Sequence, residues 1–271
     1  MRKLIIYALM VLIGTGAFAK TKIVTSIYPI ADIVSNIVKD KAEVHFIIPV
    51  NANPHTFEPT PKQAKLIEDA DIFIGVSKYF DGWVEKFLKK GTKRMYLLNK
   101  PANPHIWLSF TKGQMVVSLI RNFMVKIDYK NRNFYRKNAR EYASLIAKKY
   151  VDIRKKFESL SNKAVIQYHP AWEYLGKDLK INIVGTIYTG TGKKVTIKHL
   201  TDILEIAKQR KVKAILCGLG TKDKVIDIYV KELKAQKVEL DTMGNPKKQD
   251  RNSYLKLLEF NCERIYKALS K

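Results

Sequence analysis

From about Asp128 to Ser161 the chain runs without a proline or a glycine, and this stretch divides an alternation of strand and helix signals into two halves. Within it Phe134, Tyr142, Leu145, Ile146, Ile153 and Phe157 recur at near-helical spacing among many charges. That spacing predicts one long helix, about 50 Å at a rise of 1.5 Å per residue. A rigid helix in this place limits hinge bending, where a glycine-rich linker would let two halves swing. Short apolar or β-branched runs fall at 22–25, 43–49, 71–76 and 94–98 before it, and at 164–168, 181–187, 213–217 and 237–241 after it. Amphipathic patterns lie between them, at Tyr28 to Ile37, after Thr60-Pro61, and near 81–90, 196–210 and 221–235. The expected fold is therefore α/β: two lobes of four strand-helix units with mostly parallel sheets, 20–127 and 162–271, joined by a helix over 128–161.

The amino terminus reads as a targeting segment. Arg2 and Lys3 precede the apolar run Leu4 to Ile13, and Ala17-Phe18-Ala19 places small residues where a signal peptidase cuts. The run is short of the ~20 residues of a comfortable membrane span, so 1–19 is expected to be a cleaved signal peptide. No cysteine stands at the cleavage site to carry a lipid, which predicts a periplasmic protein released from the membrane. The formal charge of +25 would ordinarily raise nucleic acid as a partner. Export argues against it, and lysines such as Lys148, Lys149, Lys155 and Lys156 are spread along helix faces rather than blocked with aromatics. A monomer with no nucleic-acid partner is expected. Cys217 and Cys262 are both expected in the carboxy-terminal core, and an even count in an oxidising compartment predicts a disulfide between them.

Three of the five histidines stand beside prolines: Asn53-Pro54-His55, Asn103-Pro104-His105 and Tyr168-His169-Pro170. Proline fixes its own φ and restricts its neighbour, so each imidazole is held on a defined turn. Each turn also follows a predicted strand, and ligands of open α/β sheets bind beyond the carboxyl ends of strands. Three imidazoles on that edge suit a transition metal, and the strand 237–241 ends in Asp241, whose carboxylate would complete a tetrahedral site between the lobes. His45, within a strand, and His199, within a helix pattern, are expected to be structural. Glu58 and Glu173 follow the ligand histidines by three and four residues and are candidates to orient an imidazole. Gly190, Gly192 and Lys193 lack the spacing of a phosphate loop and read as a turn.

At these residues the chain resembles the solute-binding proteins of bacterial zinc and manganese ABC importers. The resemblance is carried by the opening Ile23-Val24-Thr25-Ser26-Ile27-Tyr28-Pro29, NPHTFEPTP at 53–61, NPHIWLS at 103–109, YHPAWEYLG at 168–176 and LDTMG at 240–244. It implies two (βα)4 lobes on one long helix, a membrane permease as partner, no enzymatic activity, and His55, His105, His169 and Asp241 as metal ligands. Manganese-binding relatives often carry a carboxylate where this chain has His169, and nitrogen donors favour Zn2+ over Mn2+ or Fe2+ in the usual affinity order. The chain departs from many zinc-binding relatives in having no His- and acid-rich insertion between Leu98 and Pro104. A zinc hydrolase is the rival reading from another class, since three protein ligands and a water describe many catalytic sites. The chain lacks His-Glu-x-x-His, and a fourth protein ligand would close the coordination sphere.

Overall fold

In the computed structural model, which describes residues 20–188 and 195–271, all eight expected strands are present. The expected signal segment and the glycine-containing turn at 190–193 lie outside the described residues. The first half runs β1 (Thr21–Thr25), α1 (Tyr28–Val38), β2 (Ala42–Phe46), α2 (Pro61–Glu68), β3 (Ile72–Ser77), α3 (Lys78–Asp81), β4 (Lys93–Leu98) and α4 (Phe110–Ile127). The helix α5 (Arg132–Glu158) follows, then β5 (Ala164–Gln167), α6 (Glu173–Leu179), β6 (Asn182–Thr186), α7 (Ile197–Gln209), β7 (Ala214–Gly218), α8 (Lys224–Leu233), β8 (Gln236–Leu240) and α9 (Tyr254–Leu269). The strands form two parallel sheets, ordered β2-β1-β3-β4 and β6-β5-β7-β8. Central strands β3 and β5 are buried along their whole length, as expected of parallel strands covered on both faces.

Local chemistry explains where the helices begin. Thr60 and Gln63 form a reciprocal capping box ahead of Pro61 in α2. Ser109, Thr196, Asp223 and Ser253 accept backbone N–H groups at the starts of α4, α7, α8 and α9. The amphipathic pattern near 81–90 is realised differently from expectation: α3 is one turn, and Gly82–Lys86 continues as a 3-10 turn. The buried Asp81 carboxylate turns back to accept the N–H groups of Val76 and Ser77, which anchors this short unit against the end of β3.

The long helix spans 27 residues, about 40 Å. Tyr135, Ala139, Tyr142, Ile146, Ile153 and Phe157 form its buried face. Leu145, expected on that face, is instead 55% exposed. One apolar cluster joins both halves, taking in Ile30 and Val34 of α1, Ile120 of α4, Ile146 of α5, Leu175 of α6 and Leu258 of α9. Polar contacts stitch the same region. The Asp178 carboxylate of α6 accepts from Ser109 Oγ, Phe110 N, Thr111 N and Thr111 Oγ1 at 2.6–3.3 Å, so the second half caps the first turn of α4. Asp32 of α1 accepts Tyr142 Oη and Tyr254 N, tying α1 to α5 and α9. Tyr254 also donates its hydroxyl to Ser109 O and lies over Gly113, where a Cβ would stand 1.9 Å from the Tyr254 Oη.

The expected disulfide is not formed: Cys217 and Cys262 are buried free thiols. They belong to different apolar clusters. Cys217 packs with Ile166, Ile215 and Tyr229, whereas Cys262 joins the cluster of Leu216 and Leu240. Alternation along β7 puts Cys217 on the opposite sheet face from Leu216, so the two thiols do not share one core. Burial raises the Cys217 thiol to about 11 and raises the Cys262 thiol as well, leaving both protonated and inert.

Candidate metal centre

The three proline-associated histidines converge. His55 comes from the loop after β2, His105 from the loop after β4 and His169 from the turn after β5, all at carboxyl ends of strands. Their ring centroids lie 5.1–5.5 Å apart, and one nitrogen from each falls within 4.8 Å of the others. His45 and His199 stand elsewhere: His45 Nε2 is 3.7 Å from Glu43, and His199 Nε2 meets the carbonyls of Thr186 and Ile187.

The repeated Asn-Pro-His has a local reason beyond the fixed proline φ. In both copies the asparagine Oδ1 accepts the histidine N–H two residues on, Asn53 to His55 at 3.0 Å and Asn103 to His105 at 3.1 Å. Each copy is thus an asparagine-closed turn with proline at its centre. Asn103 does more. Its Nδ2 donates to Pro170 O at 2.6 Å and to Glu173 Oε2 at 3.0 Å, both in the second half. With its amide so oriented, Oδ1 faces His105 Nδ1 at 2.7 Å. An oxygen acceptor there requires the proton on Nδ1 and leaves the Nε2 lone pair for the cavity. Glu173 therefore acts one bond further out than an imidazole acceptor, through Asn103. Glu58 is exposed on the loop surface.

Rings of this size in an apolar wall would normally carry satisfied nitrogens. Here His55 Nε2 and His169 Nε2 are buried without a hydrogen-bond partner among the described residues. Phe80 meets His55 edge-on and Trp107 packs on His105, while Trp107 Nε1 donates to Thr242 O across the halves. Two unpartnered imidazole nitrogens beside a third whose tautomer is fixed make a donor set that fits a borderline transition metal.

Asp241 lines the same cavity, of about 580 Å³, with Arg251 and the three histidines. Its Oδ1 accepts Met243 N and Gly244 N, at 2.8 and 2.9 Å, and its Oδ2 is 2.7 Å from Arg251 Nε. Asn261 clamps its backbone in both directions. Arg251 was not legible as part of the site, because its loop carries no motif and only the fold brings it to β8.

Burial keeps the imidazoles neutral. Desolvation, then repulsion from His169 and His55, lowers His105 to about 3; burial and then His55 lower His169 to about 4; burial alone lowers His55. An ordinary histidine value of ~6.5 would have protons compete with metal from that pH downward. The lowered values move the competition: metal affinity is expected to begin falling at a lower pH than that, as followed by chelator-competition titration. A decline already under way at pH 6.5 would show water-exposed rings. Stability of the metal-free chain behaves differently. Between ~6.5 and ~4 the unfolded chain binds protons on these histidines that the folded chain refuses, so stability falls as pH drops through that window.

Residues 23–268 match the family model described as zinc-uptake complex component A, periplasmic. The chain is 28% identical to the high-affinity zinc uptake system protein ZnuA of Bacillus subtilis, over 92% of this chain and 88% of that protein. It is 24% identical to the manganese ABC transporter substrate-binding lipoprotein PsaA of Streptococcus pneumoniae, over 93% and 90%. Among solved structures, the Mn-bound periplasmic metal binding protein of Candidatus Liberibacter asiaticus shares the fold with a TM-score of 0.82 at 22% identity, covering 92% of this chain and all of that one. A zinc-bound ZnuA deletion mutant superposes with a TM-score of 0.81 at 22% identity, over 93% and 99%. With the family model spanning nearly the whole chain, and with two parallel-sheet lobes and a long helix in place, the protein belongs to the zinc/manganese ABC solute-binding protein family.

Proposed function

We propose that this protein is the exported metal-binding component of an ABC importer that captures Zn2+ between its two lobes and passes it to a membrane permease. The observation that carries this reading is the convergence of three neutral imidazoles, two of them with buried nitrogens that have no partner among the described residues. Such a set spends its lone pairs on a cation, and nitrogen donors rank Zn2+ above Mn2+ and Fe2+. His55, His105 and His169 would hold the ion, with Asp241 as the fourth donor once its Oδ2 is released. That carboxylate also gives the second reading its support: an oxygen donor at the same cavity suits Mn2+ or Fe2+, and the family includes relatives described as manganese-binding.

The chain carries the ion rather than catalysing with it in this reading, because four protein donors leave no position for an activated water. The test is metal content and stoichiometry. Protein isolated from the producing cells, without added metal, is expected to hold one zinc per chain by elemental analysis, and stripped protein to rebind one equivalent in a calorimetric titration. Isolation with manganese or iron in equal proportion to chain would select the second reading, and no bound metal from either experiment would remove both.

A further inference from the structure

We propose that Arg251 competes with the captured cation for the carboxylate of Asp241 and so sets which metal the site retains. This rests on the cavity being a metal site, as argued above.

Asp241 has one oxygen to offer. Oδ1 already accepts two backbone N–H groups, so Oδ2 alone is available toward the cavity, and Arg251 Nε stands against it at 2.7 Å. Both side chains are largely withdrawn from water, 17% and 11% exposed, where an ion pair is costly to break and costly to leave half-made. The protein groups lining the cavity are thereby balanced: three neutral imidazoles, one carboxylate and one guanidinium. A divalent cation entering this set meets a positive charge seated on the oxygen it would use.

The arginine has other partners besides Asp241. Its Nε–H is not aligned on a hydrogen-bond acceptor among the described residues, so the contact with Asp241 is coulombic. Its Nη1 reaches both oxygens of the exposed Asp250 at 2.9–3.0 Å, and its guanidinium lies 4.8 Å over the Phe260 ring. When Oδ2 turns to a metal, these two partners remain. The loop that carries Arg251 closes tightly on Gly244, whose φ of +67° favours glycine and whose Cβ position would fall 3.2 Å from Arg251 O. The backbone bonds Asn245 N to Arg251 O and Arg251 N to Lys248 O hold the residue over the cavity.

Displacing Arg251 costs the same whichever ion arrives, but the return differs. Zn2+ is well served by three imidazoles, while the harder Mn2+ depends more on oxygen donors. A guanidinium on the only available carboxylate oxygen therefore discriminates against Mn2+.

The experiment titrates Zn2+ and Mn2+ separately, by chelator competition, into stripped wild type, Arg251→Gln, Asp241→Asn and the double variant. Arg251→Gln is expected to tighten Mn2+ by about tenfold, within the range for coupled neighbours, and Zn2+ by less, narrowing the preference. In the Asp241→Asn background the same substitution is expected to change neither metal appreciably. Arg251→Lys, which keeps the charge but not the reach, is the second variant and is expected to give a smaller gain for Mn2+. Unchanged or weaker Mn2+ binding in both Arg251 variants, or an equal gain with Asp241→Asn present, would overturn the proposal. His105→Ala, titrated alongside, reports on the metal site itself: if it binds both ions like wild type, the functional reading fails, whatever Arg251 does.

Discussion

Replacing His105 by alanine is expected to weaken zinc binding by well over 100-fold. Outer contacts of metal-bound histidines are alone worth ~10–100-fold, and His105 is the imidazole that the protein fixes most completely. It is 4% exposed, its Nδ1 is committed to Asn103, and Trp107 packs against its ring. The matched measurement is Asn103→Ala, expected in the ~10–100-fold range, since His105 then loses its tautomer lock while keeping its place in the cavity. Competition with a chelator of known zinc affinity reads both. Equal losses from the two substitutions would mean that orientation, not ligation, is what His105 contributes. No loss from His105→Ala would take it out of the site.

The second large effect concerns stability. Asp178→Ala is expected to cost on the order of 3 kcal/mol, because the carboxylate is buried and receives four hydrogen bonds at the start of α4, two of them from backbone N–H groups with no helical partner. Asp178→Asn keeps the shape but offers one acceptor oxygen instead of two, so a smaller loss is expected. Urea unfolding with the slope held common gives both values. A change below ~0.5 kcal/mol for alanine would place the junction between the halves in apolar packing alone.

Much of this arrangement is legible in the sequence. All eight strands are short apolar or β-branched runs, and the long helix shows its buried face through Tyr142, Ile146, Ile153 and Phe157. The three histidines declare themselves because proline restricts each turn and because strand ends are where α/β sheets bind ligands. What stays hidden depends on contacts across long separations. Nothing around Arg251 marks it, since its meaning comes from the fold of 245–251 back onto β8. Asn103 is visible as part of a motif, but its bonds to Pro170 and Glu173 need the second half in place. Cysteine parity misleads for a related reason: an even count says nothing about which sheet face each thiol occupies. Leu145 fits the helical period yet faces outward, at the edge of a stripe whose width periodicity does not fix.

The attachment of α9 bears on how the chain can be made. Its first residue, Tyr254, gives its N–H to Asp32 in α1 and its hydroxyl to Ser109 at the start of α4, so the last helix closes the core opened by the first. A polypeptide produced from its amino end therefore cannot finish its first sheet's surroundings until nearly all of it has emerged. Until then the α1 and α4 surfaces that α9 covers stay open to solvent. Loss of the final sixteen-residue helix would accordingly be felt at the amino-terminal half, far away in sequence and adjacent in space.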